Sequence, residues 1–326
     1  MLNTRSVAAA AAGALAFLCG TAALAGAPQL KTQAPGWYRM MLGDFEVTAL
    51  NDGTFPMDLV KLLINITPKQ LDEDLSRSFL TNPVEASVNG FLINTGTKLV
   101  LIDTGAGTFF GPTVGKLVTN LEASGYRPDE VDEVYITHMH SDHIGGLLLQ
   151  DGKVAFPNAV VRAAQQEADY WLSKAKMAEA PAEAKDGFAN AQKALAPYVA
   201  AGRFKPFNGD VELVPGIGSV ASPGHTPGHT LYRVESAGEK LLLWGDLMHA
   251  AAAQFPDPSV SLQYDSDLAA AREQRKKVFA DAAEHRYWVG GAHLPFPGIG
   301  HLRTNGSGYT FVHANYTSLT LQQPQQ

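Results

Sequence analysis

The stretch THMHSDHIGG, residues 137–146, gathers His138, His140 and His143 around Asp142 in a chain with ten histidines in all. Neutral imidazole nitrogens and carboxylate oxygens are the donors that zinc and similar divalent ions take. A catalytic ion needs further donors from elsewhere in the chain, and three other stretches offer them. SPGHTPGHT (222–230) holds His225 and His229, LLLWGDLMH (241–249) ends an apolar run in Gly245-Asp246, and WVGGAHLPFPGIGH (288–301) contains His293. Glycines accompany each one, which lets the backbone come close to an ion. Each also follows a run that reads as a strand, and loops at strand ends are where rigid scaffolds present functional groups. Chance clustering explains one such stretch far better than four.

The elements that must position these groups alternate along the chain. DFEVTALNDG (44–53) reads as a strand and turn, and SVNGFLINTGTKLVLIDTG (87–105) as two strands joined at Thr95-Gly96-Thr97. In 111–125, Val114, Leu117, Val118 and Leu121 recur at helical spacing between Pro112 and Gly125, which predicts a helix. Residues 131–137 read as a strand running into the histidine cluster. The Ala-rich stretch 164–200 reads as two helices inserted over the core. Strands follow around 217–221, 229–234 and 240–244, then a helix near 266–283 and a strand at 287–289. Repeats and Pro/Gly/Ser-rich linkers are absent, so one α/β domain is expected over residues 26–326.

The 326 residues are 45% hydrophobic and 17% charged, with a net charge of −7. They show no Lys/Arg cluster of the kind that binds nucleic acid, so a nucleic-acid partner is not expected. Residues 1–25 pair Arg5 with an apolar run and end in Ala23-Leu24-Ala25, the pattern of a cleaved secretory leader. The run is short of the roughly 20 apolar residues that a membrane span needs. A periplasmic or secreted protein is therefore expected, with no membrane association after cleavage. The single cysteine, Cys19, lies inside that leader, which leaves the mature chain no thiolate ligand, disulfide or cysteine nucleophile.

Taken in order, His-x-His-x-Asp-His, Gly-His-Thr-Pro-Gly-His, Gly-Asp after an apolar strand and a late histidine resemble the metallo-β-lactamase fold hydrolases. The resemblance implies a four-layer αββα sandwich with two divalent ions per chain, zinc first and manganese, iron or cobalt as alternatives. It assigns His138, His140 and His225 to one ion, Asp142, His143 and His293 to the other, and Asp246 as the bridge. It gives Asp103 a hydrogen bond to a ligand histidine, although a turn-capping role reads nearly as well. His229 reads as a supporting residue of the turn rather than a ligand. Asp142 or Asp246 would move the proton during hydrolysis, with the choice left open.

Several branches of that superfamily do not fit. A cysteine ligand is missing where Asp246 stands, His140 occupies a position that flavodiiron oxidoreductases give to Glu, and the basic or added domains of RNA-processing members are absent. Longer stretches, among them APGWYRMMLGDFEVTALNDGT, FPNAVVRA and HLPFPGIGH, resemble the methyl parathion hydrolases and their lactonase relatives, from about Ala34 to Tyr316. That family implies a secreted homodimer acting on small molecules. Phe109, Phe110, Trp171 and Phe188 would match its aromatic pocket, though each singly reads equally as core packing. His249, three residues after Asp246, and Tyr264 would add bulk to the pocket wall where the organophosphate-specialised members carry small or aliphatic residues. Bulk there favours lactones and aryl esters of the dihydrocoumarin type, planar at the reacting carbon, over tetrahedral phosphotriesters. Organophosphate hydrolysis as the main activity is the alternative, and a non-catalytic ligand-binding member of the fold is a second.

Overall fold

Two sheets carry the architecture, and the alternation of apolar residues in their strands shows how they stack. The computed structural model describes residues 27–318, and the body of the fold begins at Pro35. The leader expected over residues 1–25 lies outside the described residues. The first sheet runs in chain order through β1 (Trp37–Leu42), β2 (Phe45–Met57), β3 (Val84–Asn94), β4 (Leu99–Ile102), β5 (Glu133–Tyr135) and β6 (Val160–Arg162). The second comprises β7 (Glu212–Val214), β8 (Ile217–Ala221), β9 (Thr230–Ser236), β10 (Glu239–Leu243), β11 (Trp288–Gly290), β12 (Ile299–Asn305) and β13 (Gly308–His313), again in spatial sequence.

Side chains of period two sort into three layers. In β4, Val100 and Ile102 join Phe91, Ile93, Val234, Leu241 and Leu243 in a core between the sheets. Leu99 and Leu101 point the other way, to a cluster with Leu117, Leu121, Phe188 and Leu195 from helices. On the far face of the second sheet, Leu231, Leu242 and Val289 pack with Val278, Phe279 and Ala282 of the Leu268–His285 helix. Helix, sheet, sheet, helix is the expected αββα sandwich. Among the described residues no helix is long and apolar enough to cross a membrane.

Most neighbouring strands are antiparallel, but β4, β5 and β6 pair in parallel, and so do β10 and β11. Parallel strands end at the same edge of their sheet. The loops after β4 and β5 therefore emerge together, as do those after β10 and β11. A link between the sheets brings the two edges into register: the Thr230 N–H donates to Thr137 O (2.9 Å) and the Tyr232 hydroxyl to Ile136 O (2.8 Å).

Three local expectations are corrected. Asn51-Asp52-Gly53 is not a turn: β2 runs on to Met57 with a β-bulge between Asn51 and Gly53. The bulge frees the Asp52 carboxylate to accept from the N–H groups of Ala106, Gly115 and Leu117, each at 2.9 Å. The helix expected over 111–125 forms only at Leu117–Ala123, because Gly111 and Gly115 take left-handed backbone and Asp52 holds the intervening loop. Its expected stop at Gly125, also left-handed, holds. The Ala-rich segment forms three α-helices rather than two, Gln165–Trp171, Lys174–Glu179 and Lys185–Ala200, since Ser173 caps the second and Pro181 follows its end.

Asp52 thus ties the first sheet to the whole loop that follows β4. Asp52→Ala strands two buried backbone donors, those of Ala106 and Leu117, each costing about 1–3 kcal/mol, and frees the more exposed Gly115 N–H. Urea unfolding is expected to show a loss of about 3 kcal/mol or more, and a loss below about 1 kcal/mol would contradict this role.

Candidate metal centre

Four strand ends and one short helical turn deliver the donors. Thr137 to His140 follow β5, and the Ser141–Ile144 turn carries Asp142 and His143, both buried. His225 lies in the loop after β8, Asp246 in the loop after β10, and His293 in the loop after β11. All seven predicted donors meet in two adjoining groups: His138, His140, His225 and Asp246 in one, and Asp142, His143, His293 and Asp246 in the other.

The spacing fits cations. His140 Nδ1 is 3.0 Å from His138 Nε2 and 3.0 Å from His225 Nε2. Asp246 divides its oxygens between the groups. Oδ2 lies 3.3 Å from His225 Nε2 and 3.5 Å from His138 Nε2, while Oδ1 lies 3.2 Å from both His143 Nε2 and His293 Nε2. Asp142 Oδ2 completes the second group, 3.3 Å from His293 Nε2 and 3.6 Å from His143 Nε2. Donors about 2.0–2.1 Å from a tetrahedral zinc ion stand about 3.3 Å from one another, so these separations suit a shared ion in each group. Asp246 Oδ1 and His143 Nε2 are buried without a hydrogen-bond partner, as atoms reserved for an ion would be.

Four of the five donor rings are aimed by their other nitrogen. His143 Nδ1 donates to Asp103 Oδ2 (2.9 Å), His225 Nδ1 to Asp265 Oδ1 (2.9 Å), His293 Nδ1 to Ser87 O (2.9 Å) and His138 Nδ1 to Thr137 Oγ1 (3.1 Å). These bonds turn the Nε2 atoms of these four rings inward, whereas His140 faces the group with its Nδ1. His229 lies beside the donors and bonds to the backbone of two of their loops. Its Nδ1 donates to Ser222 O (3.1 Å), and its Nε2 accepts the Asp246 N–H (3.1 Å). Burial pushes the His229 imidazolium down to about 3, so the ring is neutral and able to accept. Gly245 takes left-handed backbone there, and a Cβ would meet the His229 ring at 2.9 Å and Thr137 at 2.8 Å.

The electrostatics also favour cations. Burial and the neighbouring His225 bring His140 down to about 3, and burial holds His138 well below its usual range, so both offer lone pairs at neutral pH. Burial opposes protonation of His225 and His293 as well, but Asp246 and its fellow carboxylates outweigh it and raise them to about 9 and about 10. Protons stand in for the charge that divalent ions would bring, and ion binding displaces them.

The aromatic expectations divide. Trp171 lies edge-on to His140 with centroids 5.3 Å apart, and Phe110 packs on Phe55 at 5.6 Å. Phe55, which the sequence did not single out, meets the His293 ring edge-on at 6.0 Å. Phe109 is half-buried beside the helical layer, with Lys193 over its ring. Phe188 is corrected to a core residue: it is fully buried 4.7 Å from Trp171 and supports that ring. His249 does not merely border the pocket, because its Nε2 donates to Asp246 Oδ2 at 2.9 Å while its ring stacks on His293. Tyr264 is 55% exposed, and the buried residue of that loop that reaches a donor ring is its neighbour Asp265.

Comparison with known proteins agrees with the geometry. The metallo-beta-lactamase superfamily model matches residues 84–305, and the chain belongs to that superfamily as a metal-dependent hydrolase. The crystal structure of the hydrolase AbOPH, of the beta-lactamase superfamily, is 36% identical and superimposes with a TM-score of 0.84, covering 88% of this chain and 100% of that one. AidC, a dizinc quorum-quenching lactonase solved with a homoserine product, is 27% identical with a TM-score of 0.80, over 87% and 99% of the two chains. An N-acyl homoserine lactonase of Bacillus cereus is 25% identical over 228 residues, which are 64% of this chain and 82% of that protein.

Elemental analysis of the purified protein is expected to find about two divalent ions per chain. Asp246→Ala is expected to stay folded, lose most of its metal and drop at least a hundredfold in hydrolysis. A fully active Asp246→Ala protein, or an active wild type without metal, would contradict the assignment.

Proposed function

We propose that this protein is a lactonase whose preferred substrates are lactones and esters with a flat aryl body, dihydrocoumarin among them, and that it hydrolyses phosphotriesters more weakly. The observation that carries this reading is the set of rings flanking the donor cluster, with Trp171 against His140 on one side and Phe55 with Phe110 toward His293 on the other. The lactonases among its relatives support the ring-opening chemistry. Two divalent ions held by the seven donors would supply Lewis acidity and ionised water near neutral pH.

The chain's own residues divide the remaining work. In lactone opening, water oxygen bonds to the carbonyl carbon, the ring C–O bond breaks, and the leaving oxygen takes a proton. Asp246 is a poor carrier for that proton, because both its oxygens are held by imidazoles within 3.5 Å. Asp142 engages its imidazoles through Oδ2 and is the more accessible carboxylate, so it is the group assigned to deliver the proton. The aromatic walls orient a planar substrate and exclude water around it.

His249 narrows the space beside Asp246 and favours a reacting carbon that is planar. The kcat/KM for dihydrocoumarin is expected to exceed that for methyl parathion in the wild type. His249→Leu is expected to move the ratio toward the phosphotriester by up to tens-fold, since one pocket contact is worth roughly 1–3 kcal/mol. A wild type that prefers the phosphotriester would overturn the proposal, and an unchanged ratio would remove His249 from it.

A further inference from the structure

Outside the donor set, a fully buried carboxylate joins the two loops that supply the three histidines of one of the two groups. Glu167 sits in the first turn of the Gln165–Trp171 helix. Its Oε1 accepts the Met139 N–H at 2.8 Å, between His138 and His140. Its Oε2 accepts the Thr226 hydroxyl and the Gly228 N–H, both at 2.8 Å, in the loop that carries His225. All three partners are donors, so only a carboxylate, with its four lone-pair sites and no N–H of its own, satisfies them together. Gly228 is a position where glycine is required: a Cβ there would stand 2.4 Å from Glu167 N and 2.9 Å from its Cα. The helix therefore lies directly on the loop. Four residues on, on the same face, its Trp171 reaches His140.

The second group is held differently. His143 leans on Asp103, and His293 on Ser87 O. Glu167 touches neither.

We infer that Glu167 is a positioning residue that sets the separation of His138 and His140 from His225, and so governs the affinity of that one metal site while leaving the other unaffected. The inference rests on the dinuclear reading above. In effect the inserted helix couples the substrate wall to the metal: the element that places Trp171 also clamps the ligands beneath it.

The test measures Zn²⁺ affinity by competition with a chromogenic chelator in two backgrounds, each with one site disabled. In His293→Ala the remaining ion is held by His138, His140 and His225. Adding Glu167→Gln, which puts an NH₂ against one of the three donors, is expected to weaken that ion tenfold to a hundredfold, as loss of a group supporting metal ligands commonly does. In His225→Ala the remaining ion is held by the other group, and Glu167→Gln is expected to change its affinity less than twofold. In the otherwise wild-type chain, excess Zn²⁺ should restore the activity of Glu167→Gln. Should Glu167→Gln fail to fold, Thr226→Val removes a single donor and should weaken the same site by a smaller factor. Equal affinities with and without the substitution in the His293→Ala background would overturn the inference, as would equal weakening of both sites. A wild type that binds no zinc would instead refute the dinuclear reading, so the two failures are told apart.

Discussion

One buried carboxylate organises the site. Asp246 lies out of reach of solvent among five imidazoles, and a lone carboxylate in such a place would be costly unless balanced by positive charge. Both of its oxygens are used, one toward each donor group, so its position determines where two ions can sit. Its backbone is held as firmly as its side chain, through the His229 ring on its N–H and the left-handed Gly245 before it. The sandwich matters to function because parallel pairing of β10 with β11, and of β4 with β5, brings the loops of both sheets to the place where that carboxylate stands.

Around it the protein accepts further buried polar groups, each with its partners. Asp103, Asp265 and Glu167 are buried, and all act on the donor loops: the first two aim rings, and the third clamps backbone. Arg275 belongs to the same scheme on the far side. Fully buried in the Leu268–His285 helix, it donates to Leu247 O, Pro258 O and Val260 O, and so fixes the chain on either side of His249 and just ahead of Asp265. Gln254 reinforces it by accepting the N–H groups of His249 and Ala250. Rigid backing of this kind holds ligands in place before an ion or substrate arrives.

What could be read from the sequence follows from range. The seven donors were legible because short motifs at the ends of apolar strands carry their own spacing, and Asp103 and His229 stood close enough to such motifs to be placed. The supporting groups that were missed act across the fold. Glu167 reads as an ordinary acidic residue in the first turn of an Ala-rich helix, and Asp265 as one of several loop carboxylates; nothing local shows that either is buried. Asp52 was masked by its setting, since Asn-Asp-Gly is strong turn chemistry, yet pairing of β2 with β3 on both sides converts it into a bulge. Phe188, which lies in the core, illustrates a related limit. Aromatic residues near a site in sequence can face the core or solvent, and which of these they do depends on contacts that no local pattern encodes.

The central claim is that two ions share the Asp246 carboxylate, and anomalous X-ray scattering from crystals of the metal-loaded protein tests it most directly. Two peaks are predicted, one among His138, His140 and His225 and the other among Asp142, His143 and His293, with an Asp246 oxygen beside each. A single peak at full loading, or two peaks of which either lacks Asp246, would contradict the account.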